Sequence, residues 1–273
     1  MTALRAPQPL TLALATEVFA RGRAVSSSLA HPYDCTPIEE LWWLRDAPRK
    51  DRMTRRDEWV VGLRSAAEVD RIARSHSQGN FGISTVNPGN EPDPVLRDRY
   101  KALGYRPGFA QPLMVHALRD IPALHSPAVI ERVATPDLAD RIAEALGQRQ
   151  LLPEHFRNDA VLRLYAALVD GELAGWVRSV SIRGHSWCTT MHVKESYRRR
   201  GVASALLARM LGDDLATGSQ GAVLLASHLG SKLYAAIGYC TIGTIAPFAP
   251  DRRSFSLPPR IVSAPRRARI DQN

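Results

Sequence analysis

An α/β fold with a mixed, mostly antiparallel sheet flanked by helices is what this sequence predicts, and three observations carry it. The 273 residues are 45% apolar and 23% charged, close to the globular average, and no stretch nears the ~18 apolar residues a membrane helix needs. Residues 162–193 read as three strands joined by two tight turns, Asp170-Gly171 and Arg183-Gly184. An amphipathic helix over 202–215 then separates this meander from an apolar run at 222–226, the pattern of a crossover connection.

In chain order, the second half begins with a strand over 128–133 and a helix signalled by Thr135-Pro136-Asp137: a capping hydroxyl, a proline at the first helical position and an acid in the first turn. An irregular stretch over 151–159 leads into the hairpin 162–169 and 172–182. In the third strand, 186–193, Trp187, Thr189, Met191 and Val193 alternate with Cys188, Thr190 and His192, so one face is expected in the core and the other is more polar. A basic loop over 194–201 opens the helix, whose Ala203, Leu206, Leu207, Met210 and Leu211 form an apolar stripe. A buried strand over 222–226, a short helix to Ile237, a stop at Gly238-Tyr239 and a last strand over 241–245 complete the series.

The first half repeats part of this order more weakly: strand 59–63, helix 65–75, strand 81–86, helix 94–103. Tyr100-Lys-Ala-Leu-Gly104-Tyr105 lies over Tyr234-Ala-Ala-Ile-Gly238-Tyr239, and Ser77-Gln78-Gly79 over Ser219-Gln220-Gly221 at a similar offset, which reads as duplication of one fold. The expected organisation is a domain over 1–122, a linker near 121–127, a second domain over 127–250 and a basic tail over 251–273. That tail holds six arginines against two aspartates within a formal net charge of +9, and it reads as a solvated segment rather than a nucleic-acid arm. The arginine-rich 49–56 stretch reads as a solvated loop, and Leu41-Trp42-Trp43-Leu44 as a buried strand rather than a pocket lining. Glu17 and Arg21 interrupt the apolar N-terminal run too early for a signal peptide. Cys35, Cys188 and Cys240 are odd in number and widely spaced, so a reducing cytoplasm and no metal are expected.

Chemistry concentrates at Arg198-Arg199-Arg200-Gly201-Val202-Ala203. Gly201 lets backbone approach a bulky anion, Ala203 keeps the helix entrance open, and the N–H groups of the first turn lack intrahelical partners. With the helix dipole and three arginines, such a turn suits a pyrophosphate; a basic turn that binds nothing is the plainer alternative.

These residues resemble the GNAT (GCN5-related N-acetyltransferase) superfamily, whose motif Gln/Arg-x-x-Gly-x-Gly/Ala follows the fourth strand and is filled here by Arg198, Gly201 and Ala203. The resemblance extends to a second motif, Leu233-Tyr234-Ala-Ala-Ile-Gly238-Tyr239, about 30 residues on. It implies that the loop, from Arg198 through Arg199, Arg200, Gly201, Val202 and Ala203 to Ser204, holds the pyrophosphate of acetyl-CoA. It implies that the strand edge Met191, His192 and Val193 binds the pantetheine arm. It also implies that Tyr234 is the general acid for the departing thiolate, packing being the alternative role for this phenol. The family's asparagine seven residues before that tyrosine is Ser227 here, still able to hydrogen-bond cofactor, and the family's glutamate base is replaced by Trp187. His185, His192 and His228 are base candidates by pKa class, and water could serve instead. The first half lacks the pyrophosphate motif and reads as a degenerate GNAT-like domain that shapes the acceptor cleft.

The expected function is transfer of an acetyl group from acetyl-CoA to a primary amine of a small molecule, without metal, membrane or nucleic-acid partner. A protein or peptide N-acetyltransferase, and a non-catalytic acyl-CoA sensor, are the alternatives.

Overall fold

The computed structural model describes residues 10–47, 56–123 and 126–251. The expected basic loop over 49–55 and the tail over 252–273 lie outside the described residues. The first half runs α1 (Leu12–Ser27), β1 (Tyr33–Ile38), β2 (Leu41–Asp46), β3 (Asp57–Val61), α2 (Ala66–His76), β4 (Phe81–Pro88), α3 (Pro94–Ala102), β5 (Tyr105–Pro107) and β6 (Gln111–His116). The second runs β7 (Val129–Arg132), α4 (Pro136–Leu146), β8 (Leu162–Val169), β9 (Glu172–Ile182), β10 (His185–Val193), α5 (Val202–Ala216), β11 (Ala222–Leu225), α6 (His228–Ala236) and β12 (Cys240–Pro250).

All the described strands join one twelve-stranded sheet in the order β1-β2-β3-β4-β12-β6-β11-β10-β9-β8-β7, with β5 on β12. Among the described pairs only β3–β4 and β10–β11 are parallel, and each is bridged by a helix, α2 or α5. The shared crossover is the structural counterpart of the repeated sequence.

The halves interlock. β6 of the first half lies between β11 and β12, and β12 pairs with β6 over Cys240–Ile245 and with β4 and β5 further along. The sequence placed the last strand at 241–245; its continuation to Pro250 extends the pairing with β4 and adds β5. Across this seam buried His116 of β6 accepts a hydrogen bond from Leu118 N at Nδ1 (2.9 Å), which leaves Nε2–H to donate to Ile237 O at the end of α6 (3.1 Å).

The sheet has two sides. α1 and α4 cover one, packing Val18, Phe19, Leu138 and Ile142 on Leu164, Trp176 and Trp187. α5 and α6 cover the other, with Val202, Leu206, Leu207, Met210 and Ile237 on Tyr165, Val177 and Cys188. A third cluster around Trp59, Ile72 and Tyr100 fills the first half. Trp43 stacks on Trp59 at 5.3 Å, so the Leu41–Leu44 run is a strand with core contacts.

The helix α1 was not foreseen. Thr11 caps it by accepting from Leu14 N (3.2 Å), and Glu17 binds Arg21 one turn on (2.8 Å), an i,i+4 pair. Gly22 brings α1 close to the sheet: a Cβ there would stand 2.4 Å from Trp187 Cγ. Thr135 precedes α4 as expected, yet its side chain makes no cap bond.

Candidate active site

β10 is the axis of the site. It pairs with β11 only at Ser186, Trp187 and Cys188; past Cys188 the strands part, leaving the far side of residues 189–193 without a strand neighbour. The pairing with β9 is itself broken by a bulge between Thr189 and His192, where Thr190 has φ 56°. A β-branched residue in left-handed backbone is strained, and such strain collects where a strand is re-aimed toward a site. The expected polar face is corrected too: Trp187 and Cys188 are both buried because helices cover both sides of the sheet, and beyond the bulge Met191 packs toward the α5 side while His192 lies on Trp176 on the other (4.6 Å, 20° between planes).

At the C-terminal end of β10 stands the basic turn. Glu195–Tyr197 form a 3-10 turn, Arg199 and Gly201 take positive φ (59° and 76°), and Gly201 starts α5 without a side-chain cap. The first helical hydrogen bond comes from Ala205 N to Gly201 O, so the preceding N–H groups of the turn have no helical acceptor. Val193, Arg198, Arg199, Gly201, Val202, Ala203 and Ser204, with Tyr197 and Leu233, line a cavity of about 160 Å³ at this spot. Arg198 folds back to donate to Val193 O (3.1 Å), and exposed Arg200 lies over the Tyr197 ring. Open N–H donors under surface arginines fit a phosphorylated ligand.

Tyr234 occupies the middle of α6, half-buried against the α5-side core, its ring edge-on to Tyr239 at 5.8 Å. Burial raises its phenol pKa well above the ordinary value, so the hydroxyl carries its proton at neutral pH. Its counterpart Tyr100 is wholly buried and stacks on Phe248 at 4.3 Å. Ser227 is the N-cap of α6, its Oγ accepting from Gly230 N (3.1 Å), which leaves its hydroxyl proton and a second lone pair for another partner.

On the α1 side, next to the bulge, lies a cavity of about 720 Å³ that the sequence did not reveal. α1 supplies Arg23 and Ser26, the segment after α4 supplies Gln148 and Arg149, β9 supplies Arg178, and β10 supplies Trp187, Thr189 and Thr190. The volume suits a small molecule. No carboxylate is among the lining residues. Of the base candidates, His185 is buried with Nδ1 donating to Arg183 O (3.1 Å), and exposed His228 begins α6; neither lines this cavity. His192, whose pKa burial and the nearby Arg198 and Lys194 push down, also lies outside the lining. Among the described residues no cluster of three metal-ligating side chains occurs.

Residues 130–239 match the model of the acetyltransferase (GNAT) family. No curated protein sequence matches the chain. Among solved structures, a GCN5-related N-acetyltransferase from Kribbella flavida superposes with TM-score 0.59 at 16% identity, covering 86% of this chain and 95% of its own. A putative GNAT-family acetyltransferase from Novosphingobium aromaticivorans DSM 12444 gives TM-score 0.52 at 18% identity, covering 87% and 97%. A GCN5-related N-acetyltransferase-like protein from Streptococcus suis 89/1591 gives 0.52 at 13%, covering 85% and 92%. At these identities the likeness is one of fold, and it spans both halves.

The match to the acetyltransferase (GNAT) family lies within residues 130–239, and the parted strands β10 and β11 and the basic turn before α5 fall inside that stretch.

Proposed function

We propose that the protein transfers an acetyl group from acetyl-CoA to the primary amine of a small molecule, which enters from the α1 side of the sheet. The observation that carries this reading is the unpaired edge of β10, which runs from the phosphate turn at Val193 to the 720 Å³ cavity at Thr189 and Thr190. At about 3.3 Å per residue, that stretch is long enough for an extended pantetheine arm to lie along it as an added strand.

The pyrophosphate would rest on the N–H groups from Arg199 to Ser204, with Met191, His192 and Val193 offering backbone to the arm. The neutral amine attacks the thioester carbonyl from the cavity, the C–S bond breaks as the tetrahedral intermediate collapses, and Tyr234 protonates the leaving thiolate. With no carboxylate in the lining, the ammonium loses its proton to water. The positive field of Arg149 and Arg178 assists by lowering the amine pKa. Three free cysteines, Cys35, Cys188 and Cys240, suit work in a reducing cytoplasm.

A screen of small amines with acetyl-CoA, reading thiol release, tests the reading. Turnover with an amine supports it. Tight acetyl-CoA binding with no turnover of any amine or peptide would favour a sensor, the role that Trp187 in place of a glutamate base supports.

A further inference from the structure

Two arginines of the central sheet are buried to the same degree, each only 4% exposed, and they are treated differently by the fold. Arg163 on β8 meets Asp214 of α5 at 2.7 Å, and Ser179 Oγ donates to the same carboxylate at 2.8 Å. Arg178 on β9 has no carboxylate partner among the described residues. One terminal nitrogen donates to Gln150 Oε1, itself a buried side chain, while Nε, like that of Arg163, is enclosed with no acceptor, so the difference between the two is the missing carboxylate. Desolvation without a counter-charge pulls its pKa down to about 10, so it is still a cation at neutral pH.

A buried charge left unpaired is costly, and it persists where something outside the chain completes it. Arg178 lines the 720 Å³ cavity, so the missing counter-ion can arrive there. The other lining cations differ. Arg23 is held in a two-pronged pair by Glu58, and Arg149 is exposed. Among the lining residues Arg178 is therefore the one enclosed cation without a carboxylate partner, and a single carboxylate balances it. Arg178 is also the direct cross-strand neighbour of Thr189, at the start of the bulge. The backbone of Arg178 is thus one strand spacing, about 4.8 Å, from the strand along which the thioester would lie, and both border the same cavity.

We propose that the acceptor is an amino acid or a similarly compact amine that carries a carboxylate, bound through that carboxylate by Arg178. This rests on the acetyltransferase reading above and narrows its substrate class. The anchored carboxylate fixes the amine a few bonds away, facing β10. It also offsets Arg178 within the complex, leaving Arg149 as the lining cation that keeps the amine from holding its proton.

The test pairs amino acids with their methyl esters as acceptors for acetyl-CoA, and titrates N-acetyl amino acids and inorganic phosphate into the full chain by calorimetry with CoA present and absent. The expected result is kcat/KM at least about 100-fold higher for the free acids, with N-acetyl amino acids binding and phosphate not competing. Arg178→Gln and Arg178→Lys should both raise KM for the free acid by about 100-fold or more, leave KM for acetyl-CoA unchanged and abolish the preference over the ester. Esters used as well as acids, phosphate binding more tightly than carboxylate, or no carboxylate binding by calorimetry would overturn the proposal. Acetyl-CoA binding with ester turnover in that case would leave the acetyltransferase reading standing, whereas failure to bind acetyl-CoA would remove that reading itself.

Discussion

Replacing Tyr234 by Phe removes one hydroxyl and keeps the ring that packs edge-on to Tyr239. If that hydroxyl protonates the thiolate, kcat falls by about 10²–10⁴-fold while acetyl-CoA affinity and Tm stay near wild type, measured by steady-state kinetics and thermal denaturation of one preparation. A purely structural phenol would instead lower Tm and leave kcat alone. The turn before α5 was legible in the sequence because glycine at a helix start is a local signal. Arg178 was not. An arginine in an apolar strand says nothing of its partner until the fold shows that Asp214 serves Arg163 and that, among the described residues, only neutral Gln150 serves Arg178.

Among the elements, the meander β8–β9–β10 and helix α5 fall where the pattern put them, because type I′-like turns at Asp170-Gly171 and Arg183-Gly184 fix the register, with all four residues at positive φ. The bulge in β10 was hidden, since a two-residue period cannot report an extra residue. The helix α1 was hidden too, its apolar run being shared between helix and leader-like patterns. The α5 helix is locked to the sheet by the enclosed Arg163–Asp214–Ser179 group. Asp214→Ala strands Arg163 without a counter-ion and should cost about 3–5 kcal/mol, read as a lowered urea midpoint. A loss under about 1 kcal/mol would show that the pair does not hold the helix.

For the whole molecule, the exchange of β6 and β12 makes the two halves one folding unit even though each is read separately in the sequence. Near-ultraviolet circular dichroism and intrinsic fluorescence should follow one coincident unfolding transition; two separated transitions would contradict a shared sheet. pH should act across the seam. Burial lowers the pKa of His116, as it does that of His155, so the unfolded chain takes up protons first as pH falls. Their contribution is full above pH 6.5 and is lost as pH drops through the depressed native values. Tm should therefore fall between pH 7.5 and 5.5, and His116→Gln should shrink that fall; an unchanged profile would remove His116 from the account.

Acetyl transfer as proposed requires that the chain seat acetyl-CoA on the turn before α5. Gly201 has φ 76°, and an aspartate there would add both a strained side chain and a negative charge where the pyrophosphate approaches. Calorimetric titration of acetyl-CoA into the wild-type chain and into Gly201→Asp tests this most directly. Saturable one-to-one binding to the wild type, weakened at least about 100-fold in a variant with unchanged circular dichroism, is the expected result. Equal affinity in the two folded proteins, or no binding to the wild type, would contradict it.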